Sequence, residues 1–590
     1  MPSSASSTFS RRSFALARAL TAGAACALAV FSPGPSIARE NIAVPTPFEV
    51  GESPSGNYLA ALVAGAERDT LAASTYFREA LRADPKNMEL AERAFVASIA
   101  NGNMPEAFSL AERLLHANRN NGLANLALGV RAIEQKRWSS ARRHFAKGGS
   151  GRQRDLTATL LTAWSYVGAK QTSRALPLVD KLRDEAFSVF RNYHAALIAD
   201  VIGKTDEARK RFEKVYSTDK NTLRLVDAYA RFLSEHGDRE GAIKVYSAFE
   251  QIVPRHPIVT AALAELAAGK TLEPFVRNAR QGAAELLYGL GAVGGRQGDE
   301  LAALIYLRLA LFLEPDNGLA QVTLADVYER MKQSEQAIDA YEAVSEKSPL
   351  RSNADIQIGL LLETMDRKDE ATKVLTNLVK ERPNDAEAQT ALGNLLRSRK
   401  DFTGAIEAYT KAIDLSKGPE KALWSLYYYR GIAYERAKNW PPAEADFKKA
   451  LALYPEQPLV LNYLGYSWVD KGMNLDEAFK MLGRAVELRG QDGYIVDSLG
   501  WAHYKLGRYD EAVKDLERAV DLKPSDPVIN DHLGDAYWRV GRKLEAQFQW
   551  NHARDLKPEP EELENILKKI KNGLSDEKAE AADAGKKNGG

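Results

Sequence analysis

Between residues 493 and 526 the chain reads GYIVDSLGWAHYKLGRYDEAVKDLERAVDLKPSD. Apolar and small residues recur there at helical spacing in two stretches, which predicts two helices. Gly500 falls inside the first, where glycine costs roughly 0.5–1 kcal/mol relative to alanine. Ala512, Ala519 and Pro524 follow it at set distances. The same skeleton returns upstream in residues 424–457, with Gly431, Tyr434, Ala443, Phe447, Ala450 and Pro455. It returns downstream in residues 527–560, with Gly534, Tyr537, Ala546, Trp550, Ala553 and Pro558.

A recurring pair of helices with this order of small, aromatic, small and proline positions resembles the tetratricopeptide repeat, a helix–turn–helix unit of 34 residues. Marked by its eighth position, the register falls at Ala61, Phe95, Gly129, Ala163, Ala196 and Ala230. It resumes at Gly291, Ala325, Gly359, Gly393, Gly431, Gly465, Gly500 and Gly534. The resemblance implies an all-α, right-handed solenoid of about fourteen repeats in two blocks, 58–250 and 284–558. Residues 251–283 break the pattern and are expected to form an irregular joint. IVTAALAELAAG (258–269) suits the first helix of a degenerate unit, but no second helix matches it. Where helices cross closely, the crossing residue must be small, so Gly500 is expected to offset its helix penalty by packing. Pro524 stops the second helix, because proline lacks an N–H and disfavours helix in the residue before it. Residues 559–574 suit a polar capping helix, and 575–590, rich in Lys, Glu, Ala and Gly, a disordered tail.

Composition adds a compartment to this picture. Charge is nearly balanced, 80 basic residues against 79 acidic, which argues against a nucleic-acid surface. Arg11, Arg12 and Arg18 precede an apolar, alanine-rich run, and Ser36 and Ala38 stand at the small positions of a cleavage site. Residues 1–38 are therefore expected to be a signal peptide, followed by a leader or linker, 39–57. Export by the Sec route or, through SRRSF (10–14), by the twin-arginine route would place the chain in the periplasm. The single cysteine, Cys26, lies in the signal core, and Gly23 stands where a lipidation motif favours leucine. Cleavage leaves no thiol for disulfide or nucleophilic chemistry, and no other stretch is apolar enough to span a membrane.

Motifs for catalysis fail on context. GLGAVG (289–294) satisfies the dinucleotide fingerprint, but a helical stretch precedes it and Gly291 is the repeat's own small position. AAGKT (267–271) has Ala264 where a phosphate loop requires glycine. The eight histidines are scattered without metal spacing. No cofactor, metal or catalytic residue is expected, and the chain is read as a non-enzyme.

What is left is a surface. Resemblance to the repeat family implies that first helices line a concave groove, with ligand contacts at set positions of each repeat. In the best-matching block these are Tyr428, Tyr429, Asn462, Tyr463, Tyr466, Asp497, Trp501, Tyr504, Asp531, His532, Asp535, Trp538 and Arg539. Asp497, Trp501 and Tyr504 are spaced i, i+4, i+7, as are Asp531, Asp535 and Trp538, so each set shares one helix stripe. Aromatic residues with polar tips suit a binding hot spot. The groove has few bases, which fits an extended or weakly basic polypeptide better than a carboxylate tail. LGYSWVDKGMNLDEAF and DGYIVDSLGWAHY look like bacterial envelope repeat proteins that act as adaptors of carboxyl-terminal-processing proteases. The expectation is a periplasmic protein-binding scaffold or adaptor, with proteins or extended peptides, a periplasmic protease and its substrates as partners. The alternative is a structural scaffold for cell-envelope or outer-membrane assembly.

Overall fold

In every repeat the chain turns through one left-handed residue seven positions after the marker. Positive φ occurs at Arg68, Gly102, Lys136, Lys170, Gly203, Gly237 and Gly298, then at Lys332, Asp366, Lys400, Lys438, Gly472, Gly507 and Gly541. All fourteen markers are followed by it, and half of these turn residues carry a side chain. The same turn, at Gly269 (φ 80°), also closes helix Pro257–Ala267 in the irregular stretch. No second helix follows; Leu272 and Val276 are buried instead.

The computed structural model describes residues 51, 53–147, 152–182, 185–416 and 420–574. The signal peptide, most of the leader and the tail expected at 575–590 lie outside them. Among the described residues there are 30 α-helices and no strands. They divide into two compact units, to Val374 and from Leu375.

The close crossing expected at Gly500 is present, and the residue it meets is Leu516. A Cβ on Gly500 would lie 2.8 Å from Cγ and 3.2 Å from the backbone nitrogen of Leu516. The residue sixteen positions on plays the same part at Gly431 (Phe447, 2.8 Å), Gly393 (Tyr409, 2.8 Å) and Gly534 (Trp550, 2.5 Å). Ala512 and Ala519 are fully buried beside this crossing. Glycine is therefore required by a large side chain laid across the first helix.

The first unit departs from a simple array, in which each repeat touches only its neighbours. Four consecutive pairs open with α1 (Met88–Asn101), α2 (Gly122–Glu134), α3 (Arg152–Gly168) and α4 (Ser188–Val201). Onto the side formed by these first helices fold α5 (Ala279–Arg296) and α6 (Glu300–Leu313) from beyond the irregular stretch. Helix α5 lies on α3 and α4, and α6 on α1 and α2. Gly282 and Gly289 of α5 stand where a Cβ would meet Trp164 at 2.4 Å and Phe190 at 2.9 Å. The buried carboxylate of Glu285 accepts from Tyr193 Oη at 2.8 Å and pairs with Arg224. Phe312 of α6 meets Phe108 edge to face, 4.9 Å between centroids. The inner side of these four pairs is thus filled by the chain itself.

Candidate functional site

Among the described residues of the second unit, four of the five first helices are α7 (Ala386–Ser398), α8 (Trp424–Arg436), α9 (Pro458–Asp470) and α10 (Gly493–Lys505). Helix α11 (Tyr509–Leu522) pairs with α10, and α12 (Pro527–Arg539) pairs with α13 (Lys543–Asp555). The start of α12 is locally encoded. At α12, Pro527 takes the first position, where its missing N–H costs nothing, and Asp526 Oδ1 accepts from the Val528 and Ile529 amides at 3.0 and 3.1 Å. Helix α14 (Pro560–Asn572) closes the row, with Ile566 buried against the last pair.

Adjacent first helices are tied edge to edge, each bond joining one repeat to the next. Tyr463 Oη donates to Glu435 at 3.2 Å. His532 Nδ1 lies 2.9 and 3.1 Å from the two Asp497 oxygens, and Arg539 Nε donates to Tyr504 Oη at 3.3 Å. Lys569 Nζ of α14 reaches Asp531 and Asp535, both at 2.7 Å.

At the centre is a three-ring stack. The Trp501 indole lies between Tyr504 (4.6 Å, 6°) and the His532 imidazole (3.9 Å, 15°). Asp497 anchors one end of the stack and Arg539 the other, so the indole plane is fixed while Trp501 stays half-buried. Burial pulls the His532 pKa down, but the charge and hydrogen bond of Asp497 outweigh it, and the net shift is upward. Lys505 Nζ sits 5.7 Å from the Trp501 ring centroid, within cation–π range.

The remaining residues sort by environment. Tyr466 is half-buried, and burial with the nearby charges of Asp470 and Asp497 raises its phenol to about 12. Tyr463 packs 5.1 Å from Phe447, and burial with Glu435 likewise lifts it to about 12. Tyr429 lies under the Arg397 guanidinium, 5.0 Å from its centroid. Asn462 is half-buried, and its Oδ1 has no hydrogen-bond partner among the described residues. Tyr428 is in the core, packed on Phe447 and Tyr463. Asp535 is buried, holding Trp550 Nε1 at 2.9 Å. Burial and the charge of Asp531 push it up to about 6 against the pull of Lys569. Trp538 is half-buried, packing 5.3 Å from Trp550 with its other edge against Gly573 at the close of α14.

The sequence reading placed Trp501 and Trp538 together; the structure separates them. Glu435 and Lys569, which fasten the wall, were not singled out. Lys569 had been read only as part of a polar cap, and its spacing of 34 and 38 residues from Asp535 and Asp531 was the available signal.

The glycines of GLGAVG all lie within continuous helix α5, where Gly289 faces Phe190 and Gly291 faces Leu307. The glycine of AAGKT is the left-handed turn after a helix. One histidine does meet carboxylates that sequence spacing did not join: Asp200, Glu235 and His236 converge, with His236 Nε2 3.1 Å from Asp200.

Comparison with known proteins agrees with the repeat reading. Family models described as tetratricopeptide repeat match residues 319–350, 356–419 and 424–457, and one described as TPR repeat matches 500–541. The TPR repeat-containing protein PA4667 of Pseudomonas aeruginosa is 28% identical over 195 residues, 32% of this chain and 31% of that protein. A BBSome complex member BBS4 homolog of Drosophila melanogaster is 27% identical over 187 residues, 31% of this chain and 37% of that protein. The chain thus spans about a third of these relatives' lengths. Among solved structures, YrrB, described as a TPR protein with an unusual peptide-binding site, is 25% identical with a TM-score of 0.26, over 33% of this chain and 97% of that one. The Cut9–Hcn1 assembly of the APC/C is 15% identical with a TM-score of 0.37, covering 89% of this chain and 97% of that one.

Proposed function

We propose that the chain, whose segments 319–350, 356–419, 424–457 and 500–541 match tetratricopeptide-repeat family models, is a non-enzymatic scaffold or adaptor. It docks polypeptide partners on the first-helix wall of its second unit. The observation that carries this reading is the Tyr504–Trp501–His532 stack. A fixed stack loses little side-chain entropy on binding and presents the half-buried edges of its rings to a partner, the properties of a hot spot. The first unit supports the choice of wall, since its own first helices are covered by α5 and α6.

We further propose that the signal peptide of residues 1–38 exports the chain to the periplasm, and that its partners there are a protease and the substrates delivered to it. An extended or weakly basic segment suits a wall whose acids and bases are already paired with one another.

The test is chemical crosslinking in cells followed by capture, comparing the wild type with Trp501→Ala, once circular dichroism shows equal helix content. Loss of a defined set of partners in the variant supports the wall as the site. A protease with its substrates in that set supports the adaptor role, and a stable envelope-assembly complex supports the structural alternative. Partners retained unchanged by the variant overturn the assignment.

A further inference from the structure

On the outer side of each second helix run two positions, ten and fourteen residues after the marker. Helix α11 has Asp510 and Lys514 there, and second helices of other repeats have Glu335 and Asp339, Asp369 and Lys373, and Thr403 and Glu407. Residues 475–489, which carry one extra residue in the turn, have Asp476 and Lys480. In the second unit this track is solvent-exposed throughout. Helix α13 breaks the rule. It carries Leu544 and Phe548, 85% and 68% exposed and one helical turn apart. Ordinary repeat packing has no use for them, because the inward side of α13 is Ala546, Trp550 and Ala553.

The chain holds one precedent for an apolar outer track. Helix α6 has Leu301 and Ile305 at these two positions, and Arg308 and Phe312 continue the stripe. There Ile305 is buried, Phe312 meets Phe108 edge to face, and Arg308 lies against Gly102. In this protein, then, a second helix with large apolar residues on its outer track is one laid on the first-helix side of other repeats.

Among the described residues, the second unit offers such a wall still open, around Tyr466 and Trp501. Asp470 is exposed at its edge, complementary to Lys543 at the start of α13, while Arg542 beside it is already paired with Glu517 and Glu545. We propose that the outer face of α13 docks on the first-helix wall of the second unit in another copy of this chain. The occupant is thus a second copy, joined head to tail, with Leu544 and Phe548 against Trp501 and Tyr466. This inference rests on the reading of that wall as a binding surface.

Sedimentation velocity on the full chain, from micromolar concentration upward, tests it. The wild type is expected to self-associate, and Phe548→Asp and Trp501→Ala each to weaken association at least about tenfold. Mixing the two variants is expected to restore one contact, since the first keeps its wall and the second keeps its stripe. Tyr466→Ala replaces Trp501→Ala if the latter loses helix content. A monomer at every concentration overturns the proposal. So does association that survives Phe548→Asp, or association that mixing does not restore, which marks a symmetric α13–α13 contact. A monomeric wild type that still loses captured partners on Trp501→Ala overturns this inference and leaves the wall as a partner site.

Discussion

Gly500 shows how one residue answers to two opposed demands. Alanine there recovers roughly 0.5–1 kcal/mol of helix propensity. Its Cβ, however, would stand 3.2 Å from a backbone atom of Leu516, which cannot rotate away. Gly500→Ala is therefore expected to lower stability by a net ~1–3 kcal/mol, read as a drop in the urea midpoint. The turn residues give the opposite sign. Lys438 is exposed and held at φ 62°, where an L side chain is strained. Lys438→Gly is expected to stabilise by up to about 1 kcal/mol in the same assay, because seven equivalent turns already use glycine. The glycine at each crossing was legible in the sequence because its offset recurs. The partner at Leu516 was not, since helical period places several residues near any crossing and only the packing chooses one.

At the scale of elements, two histidines sit in opposite regimes. His194 in α4 is fully buried with neither ring nitrogen bonded, and burial lowers its pKa to about 3. The unfolded chain then binds the proton more readily below pH ~6.5, so the stability His194 permits is present above that pH and lost on acidification. The loss approaches ~2 kcal/mol near pH 5, at about 1.4 kcal/mol per pH unit. His532, raised by Asp497, behaves inversely. Its contribution is complete below the unfolded value of ~6.5 and fades as pH rises through the folded one. Denaturation of the full chain as a function of pH is expected to show a shallower acid slope in His194→Phe, with His144, His256 and His503 supplying the remainder, and a shallower alkaline slope in His532→Gln. Unchanged slopes in both variants would sink this account. The helices themselves were readable from periodicity and proline stops, because caps and turns are local. The seating of α5 on α3 and α4 was not, because Gly282, Glu285 and Gly289 fall at positions the repeat leaves free, and only distant residues such as Trp164 give them meaning.

At the scale of the molecule, the repeat count and the all-α class followed from a period of 34 residues, but the division of labour between the units did not. The candidate wall was legible as a set of positions. Its sorting into core (Tyr428), capped (Trp538) and stacked (Trp501) residues depends on what α14 and neighbouring helices cover. Gly282→Val places a branched side chain against the Trp164 ring and is expected to unseat α5. Hydrogen exchange should then rise across residues 279–313 with little change in 493–539, and equal protection in both proteins would refute the seating as a source of stability.

The seating of α5 and α6 also bears on the order in which the chain becomes a protein. Arrays of repeats ordinarily fold by adding neighbour to neighbour, with short loops and fast rates. Here Tyr328 Oη reaches the carbonyl of Ala100 across 228 residues, and Gln333 reaches that of Arg68 across 265. Each contact closes a long loop whose entropy must be met before the contact can form. A chain leaving the ribosome carries its first pairs with their inner side uncovered until the segment from α5 to Gln333 has been made. Those pairs are expected to keep apolar surface exposed longest as the chain is made.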